Sequence, residues 1–252
     1  MQNQSVQNYS ALIKAQLKRS SSIKKAKVLK GFFKAGKGEY GEGDEFIGVV
    51  VPEQRRIAKL FSGKAKTSDI QELLDSSVHE HRLTGLLILV DLYQKAQETK
   101  DEVVKKEIVD FYLSNTKNIN NWDLVDLSAE KIVGEYLLDK SEKEKEIIYL
   151  LARSSDLWER RIAILTTYNF IKNHKYSDTF SIAELLLGDK HDLIHKAVGW
   201  MLREVGKRDQ KAEIEFLEKH AHKMPRTMLR YAIERFPENK KKYFMKTKQT
   251  VS

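Results

Sequence analysis

Apolar residues recur at helical spacing through most of the chain after Pro52. Residues 80–95 carry an apolar side chain every three or four positions, and Thr67-Ser-Asp-Ile resembles a capped helix start. The same spacing predicts further helices at about residues 101–114, 127–138, 142–153, 157–173, 178–187, 191–206, 210–222 and 225–236. No run of alternating β-branched residues is bounded by hairpin signals. The pattern therefore predicts an all-α protein.

A weak repeat runs through the predicted helices. Arg161, Lys196 and Arg230 each precede a mostly apolar stretch, and they follow one another at intervals of 35 and 34 residues. Arg82 begins a similar stretch, and Asp126 lies 35 residues before Arg161. A period in this range is typical of stacked helix pairs. In a curved stack this row would form a basic concave stripe interrupted by one carboxylate, although short patterns also recur by chance in helical proteins.

Residues 32–52 break the helical pattern with several glycines. The spacing that starts at Gly36 matches G-x-G-x-x-G, but no predicted strand precedes it and the acidic residues that follow would repel a phosphate. A dinucleotide site is therefore excluded. We expect an ordered loop with Tyr40 at its tip and with Pro52 at the first position of the next helix.

Charge and composition narrow the functional classes. The 252 residues include 45 Lys and Arg against 36 Asp and Glu, and the net charge of +9 favours an anionic partner such as nucleic acid or a membrane surface. No apolar run reaches the roughly 18 to 20 residues that span a bilayer, and the polar N-terminus lacks the core of a signal peptide. A soluble, cytoplasmic protein is expected. The absence of cysteine excludes disulfides, thiol nucleophiles and cysteine zinc sites.

The histidines do not follow a metal-binding pattern. His191 and His195 are four residues apart, and His79 and His81 flank Glu80, but no H-E-x-x-H motif occurs and the spacing indicates no third ligand. Structural or solvent-facing histidines are therefore favoured over zinc ligands. No G-x-S-x-G elbow supports a hydrolase triad. Neither a metal nor a cofactor is expected.

Three tryptophans and one carboxylate are the candidate chemical groups. Trp122 precedes Asp126 by four residues, a spacing that places both on one face of a helix. An aromatic wall beside a carboxylate, in a basic protein, indicates chemistry on a cation held against a polyanion. Considered alone, Trp122, Trp158 and Trp200 are more often core residues, and Asp126 could cap a helix that starts near Ser128.

Five segments together resemble the DNA alkylation repair family, the AlkD-like DNA glycosylases. They begin at Tyr40-Gly-Glu-Gly-Asp, Asn121-Trp-Asp-Leu-Val-Asp126, Leu157-Trp-Glu-Arg-Arg, His191-Asp-Leu-Ile-His and Met224-Pro-Arg-Thr-Met. The resemblance covers about residues 10–240. It implies a right-handed α-α superhelix of HEAT-like repeats with a concave basic groove. A single domain over 1–252 is expected, with short polar extensions at about 1–8 and 241–252.

The resemblance also implies an activity. The expected protein is a monomeric, monofunctional DNA glycosylase that hydrolyses the N-glycosidic bond of cationic N3- and N7-alkylated purines in double-stranded DNA, in base excision repair. No membrane partner is expected. A non-catalytic relative that binds damaged or branched DNA, or a protein-interaction scaffold, is the alternative. Retention of Asp126 with both flanking tryptophans favours the enzyme.

The family's site residues carry over as follows. The catalytic aspartate falls on Asp126, the sugar-contacting tryptophans on Trp122 and Trp200, the backbone-contacting arginine on Arg161, and the loop tyrosine on Tyr40. Trp158 is expected in the core instead. Further expected phosphate contacts are Lys196, Arg203, Arg226 and Arg230. The chain departs from the family at Val50, where relatives often have a basic or other non-aliphatic residue, and in the polar extensions at both ends.

Overall fold

The structure, a computed structural model, describes residues 7–246. These residues form helices and connecting loops with no strand, and one isolated β-bridge joins Glu45 and Val78. The all-α prediction is thus confirmed. Two compact units are present, one ending at Ser128 and the other beginning at Ala129. The expectation of one HEAT-like domain stays a prediction, and the ends of its two polar extensions, residues 1–6 and 247–252, lie outside the described residues.

The first unit contains α1 to α6 and all of α7 but its last residue. Their bounds are Tyr9–Arg19 (α1), Ile23–Phe32 (α2), Val51–Phe61 (α3), Thr67–Leu74 (α4), His79–Glu98 (α5), Glu102–Ser114 (α6) and Trp122–Ala129 (α7). Pro52 is the second residue of α3 rather than the first. The predicted start at Thr67 is correct, but its cap comes from inside the helix, because the Asp69 carboxylate accepts the backbone N–H of Lys66 at 2.9 Å.

The centre of the first unit is α5. Most of its residues are buried, including Leu86 and Ile88, which have no exposed surface. Helices α3, α4 and α6 all contact it. A helix that is apolar around most of its circumference is stable only when it is surrounded by others in this way. The first residues of α5 therefore have fixed positions, and they matter for the site below.

The second unit contains α8 to α15. A π-helical turn at Glu130–Gly134 leads into α8, and the bounds are Glu135–Leu137 (α8), Glu142–Ala152 (α9), Leu157–Lys172 (α10), Ser177–Leu185 (α11), Asp192–Gly206 (α12), Gln210–His220 (α13), Arg226–Ala232 (α14) and Glu238–Lys246 (α15). Helix α10 contacts α12, which contacts α14, while α9 contacts α10, α13 contacts α12 and α11 contacts both α10 and α12. This order is typical of stacked helix pairs.

Close packing of α12 on α14 depends on Gly199. A Cβ atom at this position would lie 2.4 Å from the carbonyl oxygen of Met228 and 2.5 Å from the Cβ of Tyr231. No real side chain tolerates such distances, so only glycine allows this approach. Gly199 precedes Trp200, and the contact therefore fixes the part of α12 that carries this tryptophan.

Two further element boundaries differ from the sequence expectation. The helix predicted at 127–138 begins instead at Trp122, so Asp126 lies inside a helix and does not cap one near Ser128. The polar extension predicted from about residue 241 is helical up to Lys246, because Phe244 of α15 is buried. Within the described residues, every helix is too short or too polar to cross a bilayer.

Candidate functional site

Trp122 and Asp126 lie on the same face of α7, one helical turn apart. The helix starts at Trp122 because the side-chain oxygen of Asn121 accepts the Trp122 backbone N–H at 2.9 Å. Both side chains are partly exposed. Burial, and to a smaller extent the negative charge of Asp126, raises the pKa of Tyr112 on α6. An indole and a carboxylate are thus presented together at the surface of the first unit.

Two phenylalanines from the end of α2 contact the Trp122 indole. Phe33 stacks on it with ring centroids 5.3 Å apart and an interplanar angle of 26°, and Phe32 meets it edge-on at 5.8 Å. Phe33 is buried, whereas Phe32 is 61% exposed. The stacking partner covers one face of the indole and fixes the plane of its ring. Sequence reasoning missed both contacts, since about 90 residues separate the rings along the chain.

His79 lies behind Phe33, with ring centroids 4.7 Å apart. Its Nδ1 donates to Asp44 Oδ2 at 3.1 Å, its Nε2 donates to Asp123 Oδ2 at 2.9 Å, and Phe46 stacks on the ring. Burial opposes the charged form, but the hydrogen bonds to Asp123 and Asp44 outweigh burial and raise the pKa of His79 to about 9. His79 is therefore an imidazolium at neutral pH.

Asp44 connects this histidine to two further groups. Arg82 Nη2 donates to Asp44 Oδ1 at 2.6 Å, and Asn121 Nδ2 donates to Asp44 Oδ2 at 3.3 Å. Burial would raise the pKa of Asp44, but hydrogen bonds and charge from His79 and Arg82 lower it. Arg82, which the sequence places in the predicted basic row, is 3% exposed and pairs with Asp44. Its charge is compensated inside the first unit.

The loop that carries Tyr40 is attached to the start of α5. The Glu80 carboxylate accepts the backbone N–H groups of Ile47, Gly48 and Val49, with the shortest distance, 2.7 Å, to Gly48. Gly48 has φ +82°, and a Cβ there would lie 2.1 Å from a backbone oxygen of α2's cap residue, so glycine is required. Tyr40 itself is partly exposed. Its contact with DNA stays a prediction.

Arg161 and Lys196 are the first predicted phosphate contacts of the second unit. Arg161 is 5% exposed, and its Nη1 donates to the carbonyl oxygen of Leu193 at 2.6 Å, which connects α10 to the first turn of α12. Lys196 is partly exposed and pairs with Asp192 at 2.6 Å. Arg161 thus has a structural contact in addition to the role that the resemblance implies, and that role stays a prediction.

Trp200 is oriented by a carboxylate one turn further along α12. Its Nε1 donates to Glu204 Oε1 at 3.2 Å, and the Tyr168 ring lies 5.9 Å away. Glu204 is buried and also accepts from Lys207 at 2.5 Å and Arg208 at 3.3 Å. Burial would raise the pKa of Glu204, but these partners lower it. The four-residue spacing of Trp200 and Glu204 could have revealed this pair, because residues four apart share one face of a helix.

The other predicted phosphate contacts differ in how far they are already engaged. Arg203 pairs with Glu234, and Arg226 Nη1 donates to the carbonyl oxygen of Met245 at 2.8 Å. Arg230 is exposed, with its Nε directed to the carbonyl oxygen of Arg226 at 3.3 Å. Arg230 therefore presents the most accessible charge of these three. Trp158 is buried, which confirms its assignment to the core.

The histidines singled out in the sequence have structural partners. His191 Nδ1 accepts the backbone N–H of Leu193 at the start of α12, and the His195 ring contacts the carbonyl oxygen of Asp189. His81 Nδ1 lies 2.8 Å from Ser76 Oγ. Through residues 7–246, no three histidine, aspartate or glutamate side chains cluster so that they could hold a metal ion.

Two of three comparisons with known proteins found a match. A protein-family model described as DNA alkylation repair enzyme matches residues 13–236. A solved structure from Enterococcus faecalis, described as a predicted DNA alkylation repair enzyme, superposes with a TM-score of 0.65 at 15% identity, covering 87% of this chain and 98% of the other. At this identity the structural likeness shows the fold alone. The comparison with curated proteins gives no match.

Proposed function

The chain belongs to the DNA alkylation repair enzyme family, and from this premise we propose that it is a monofunctional DNA glycosylase acting in base excision repair. Its substrates would be cationic N3- and N7-alkylated purines in duplex DNA. The observation that carries the proposal is the presentation of Trp122 and Asp126 on one partly exposed face of α7, in a chain of net charge +9. A protein that only binds DNA has no use for a carboxylate facing phosphates.

The chemistry needs few groups because the leaving base is already activated. An N3- or N7-alkylated purine is positively charged, so the electron pair of its bond to C1′ neutralises the base as it departs. An acid that protonates the base is not required. The sugar that remains resembles an oxocarbenium ion, the species that glycoside hydrolases stabilise with carboxylates.

Asp126 is the proposed catalytic carboxylate. Its negative charge would stabilise the sugar cation and orient a water molecule, whose oxygen bonds to C1′ and whose proton passes to the carboxylate. A general base of this kind contributes about 10²- to 10⁴-fold to the rate, or roughly 3 to 5 kcal/mol. This mechanism needs no second carboxyl group whose pKa is raised by burial so that it can act as an acid.

Trp122 is proposed to present its indole to the cationic sugar. The negative quadrupole of an indole face attracts a cation by about 0.5 to 2 kcal/mol, and Phe33 already holds the plane of the ring. Trp200 has the same proposed role by the family resemblance, with its own ring held by Glu204. Rings that are positioned before the substrate binds lose little entropy on binding.

Exposed positive charge supports the proposed DNA partner. Helix α2 has no buried residue and carries Lys24, Lys25, Lys27 and Lys30 in exposed positions. In the second unit, Arg230 is exposed and Lys196 partly so. Lysine and arginine at such positions bind phosphates by displacing counterions. We propose that these groups, with Tyr40, Arg161, Arg203 and Arg226, contact the DNA backbone.

The test is release of free base by the purified protein. Duplex DNA containing N7-methylguanine should lose this base, whereas duplexes containing uracil or hypoxanthine should not, because neutral bases leave only with protonation or strong anion stabilisation. Salt-sensitive binding without release would instead favour the non-catalytic DNA-binding alternative. Efficient uracil excision would contradict the mechanism, because it needs an acid that the proposal lacks.

A further inference from the structure

The two residues that flank Trp122 in sequence are connected to one buried side chain, Asp123 directly and Asn121 through Asp44. His79 Nε2 donates to Asp123, the residue after Trp122, at 2.9 Å. Its Nδ1 donates at 3.1 Å to Asp44, which accepts Asn121 Nδ2 at 3.3 Å on the other side of Trp122. The first turn of α7 is therefore connected to a single imidazole by two separate routes.

A third route is aromatic. Phe33 lies between the His79 ring and the Trp122 indole, with centroid distances of 4.7 Å and 5.3 Å. A displacement of the histidine would thus change both the backbone on which Trp122 is mounted and the ring against which its indole stacks. Asp126, one turn further along the same helix, would move with it.

The charges around His79 keep it in place and prevent its use as an acid. Asp44 faces it from the loop, Asp123 from α7, and Arg82 from its own helix, with Glu80 adjacent in sequence. The histidine side chain is 2% exposed, and both ring nitrogens donate to carboxylates. It therefore has no free nitrogen with which to reach a substrate.

We propose that His79 is a positioning residue that sets Trp122 and Asp126 in their reactive placement through Asp123, Asp44 and Phe33. This inference rests on the proposed glycosylase function. Groups that orient a reacting residue typically change rates by about 10- to 100-fold, because small displacements of the reacting groups are costly.

The first experiment compares His79→Gln with the full-length wild-type protein in single-turnover release of N7-methylguanine. At a temperature where circular dichroism shows both to be folded, release should slow about 10- to 100-fold while the Kd for the duplex changes less than about two-fold. Asp123→Asn should slow release similarly, and the double variant should be no slower than the worse single variant because both act through one contact.

A matched control is Asp178→Asn. Asp178 is also a buried carboxylate in an ion pair, here with Lys145, and it accepts a hydrogen bond from Tyr149. None of these residues belongs to the proposed site. The control should therefore lose stability but release base at the wild-type rate under the same folded conditions.

The second experiment does not depend on activity. In Trp158→Phe/Trp200→Phe protein, Trp122 is the single tryptophan, and its fluorescence should titrate with a midpoint near pH 9 as His79 loses its proton. Adding His79→Gln should abolish that transition. In wild-type protein, the rate of release should fall above about pH 9 for the same reason.

The outcomes separate the two proposals. Release by His79→Gln at the wild-type rate, or a Trp122 emission that is unchanged between pH 7 and 10, would overturn the positioning role. Absence of release by the wild type would overturn the glycosylase proposal, and the fluorescence titration would then still decide whether His79 controls Trp122. If His79→Gln does not fold, the release rate of Asp123→Asn and the fluorescence titration of the Trp158→Phe/Trp200→Phe protein, which retains His79, decide the positioning role.

Discussion

Asp126 and the two site tryptophans differ in what surrounds them. Trp122 is stacked on Phe33, and Trp200 donates a hydrogen bond to Glu204, so each indole has a fixed partner inside its own unit. Asp126 is partly exposed in the middle of a helix, where a carboxylate is not needed for capping. At the residue scale, these contacts predict which substitutions affect chemistry and which affect binding.

Asp126→Asn should lose most base release and bind duplex DNA at least as well as the wild type. The substitution removes the proposed base and stabilising charge, and it also removes a negative charge from a surface that would face phosphates. Release of N7-methylguanine and fluorescence anisotropy with the same duplex measure the two effects. Near wild-type release would remove Asp126 from the catalytic role.

Glu204→Gln should slow release by about 3- to 10-fold, because the Trp200 indole loses a charged acceptor and Lys207 and Arg208 lose their counter-charge. Glu215→Gln on α13 is the matched control, since Glu215 is an exposed glutamate in a surface pair with Lys211. Equal rates for the two variants would show that Glu204 does not orient Trp200.

At the element scale, the start of α5 joins the glycine-rich loop to α7. Glu80 holds the loop backbone, while His79 and Arg82 hold Asp44 and, through His79, Asp123. Because these buried contacts join ionised groups, the stability that they contribute to the protein depends on pH.

The stability of the wild type relative to His79→Gln should fall as pH rises. The pKa of His79 is about 9 in the folded protein against 6.5 as the ordinary value, so its contribution is complete below about pH 6.5 and is lost as pH rises through 9. The loss amounts to about 3 kcal/mol. Urea unfolding of both proteins between pH 6 and 10 measures the difference.

Another group titrates in part of this range, but it is common to both proteins. Burial raises the pKa of Glu213 to about 8, against the lowering effect of Arg203, and its contribution therefore also declines as pH rises. Because both proteins contain Glu213, its effect cancels in their difference. A difference that does not change with pH would contradict the assignment of a proton to His79.

At the scale of the whole molecule, some of the positive charges behind the net charge of +9 are exposed, whereas others are buried and paired with carboxylates. Arg82 is compensated inside the first unit, whereas the lysines of α2 and Arg230 are exposed. Only exposed cations displace counterions from DNA, so the salt dependence of binding reports on them rather than on the total charge.

Arg230→Ala should reduce the log–log slope of duplex affinity against salt by about one, because one phosphate contact is lost. Lys211→Ala on α13 is the control, since this exposed lysine is not among the proposed contacts. Titrations of one duplex between low and moderate salt give all the slopes. Arg161→Ala, measured in the same series, tests whether its buried guanidinium reaches a phosphate; an unchanged slope would place it outside the contact.

The sequence alone determined the features that depend on local spacing. Periodic apolar residues predicted most helices to within a few residues, because helical neighbours lie three and four positions apart. The same rule placed Trp122 and Asp126 on one face and could have paired Trp200 with Glu204. The long motifs indicated the family, which the family match confirms.

Only the tertiary structure decided which charges are compensated and which rings meet. His79 bonds to Asp44 and Asp123, which are 35 and 44 residues away along the chain, and no periodic pattern predicts such contacts. For the same reason, the sequence placed Arg82 in a basic row but could not show that it is a buried partner of Asp44. Local spacing determines which face of a helix a side chain occupies, whereas its exposure and charge partners depend on elements that are distant in sequence and that folding brings together.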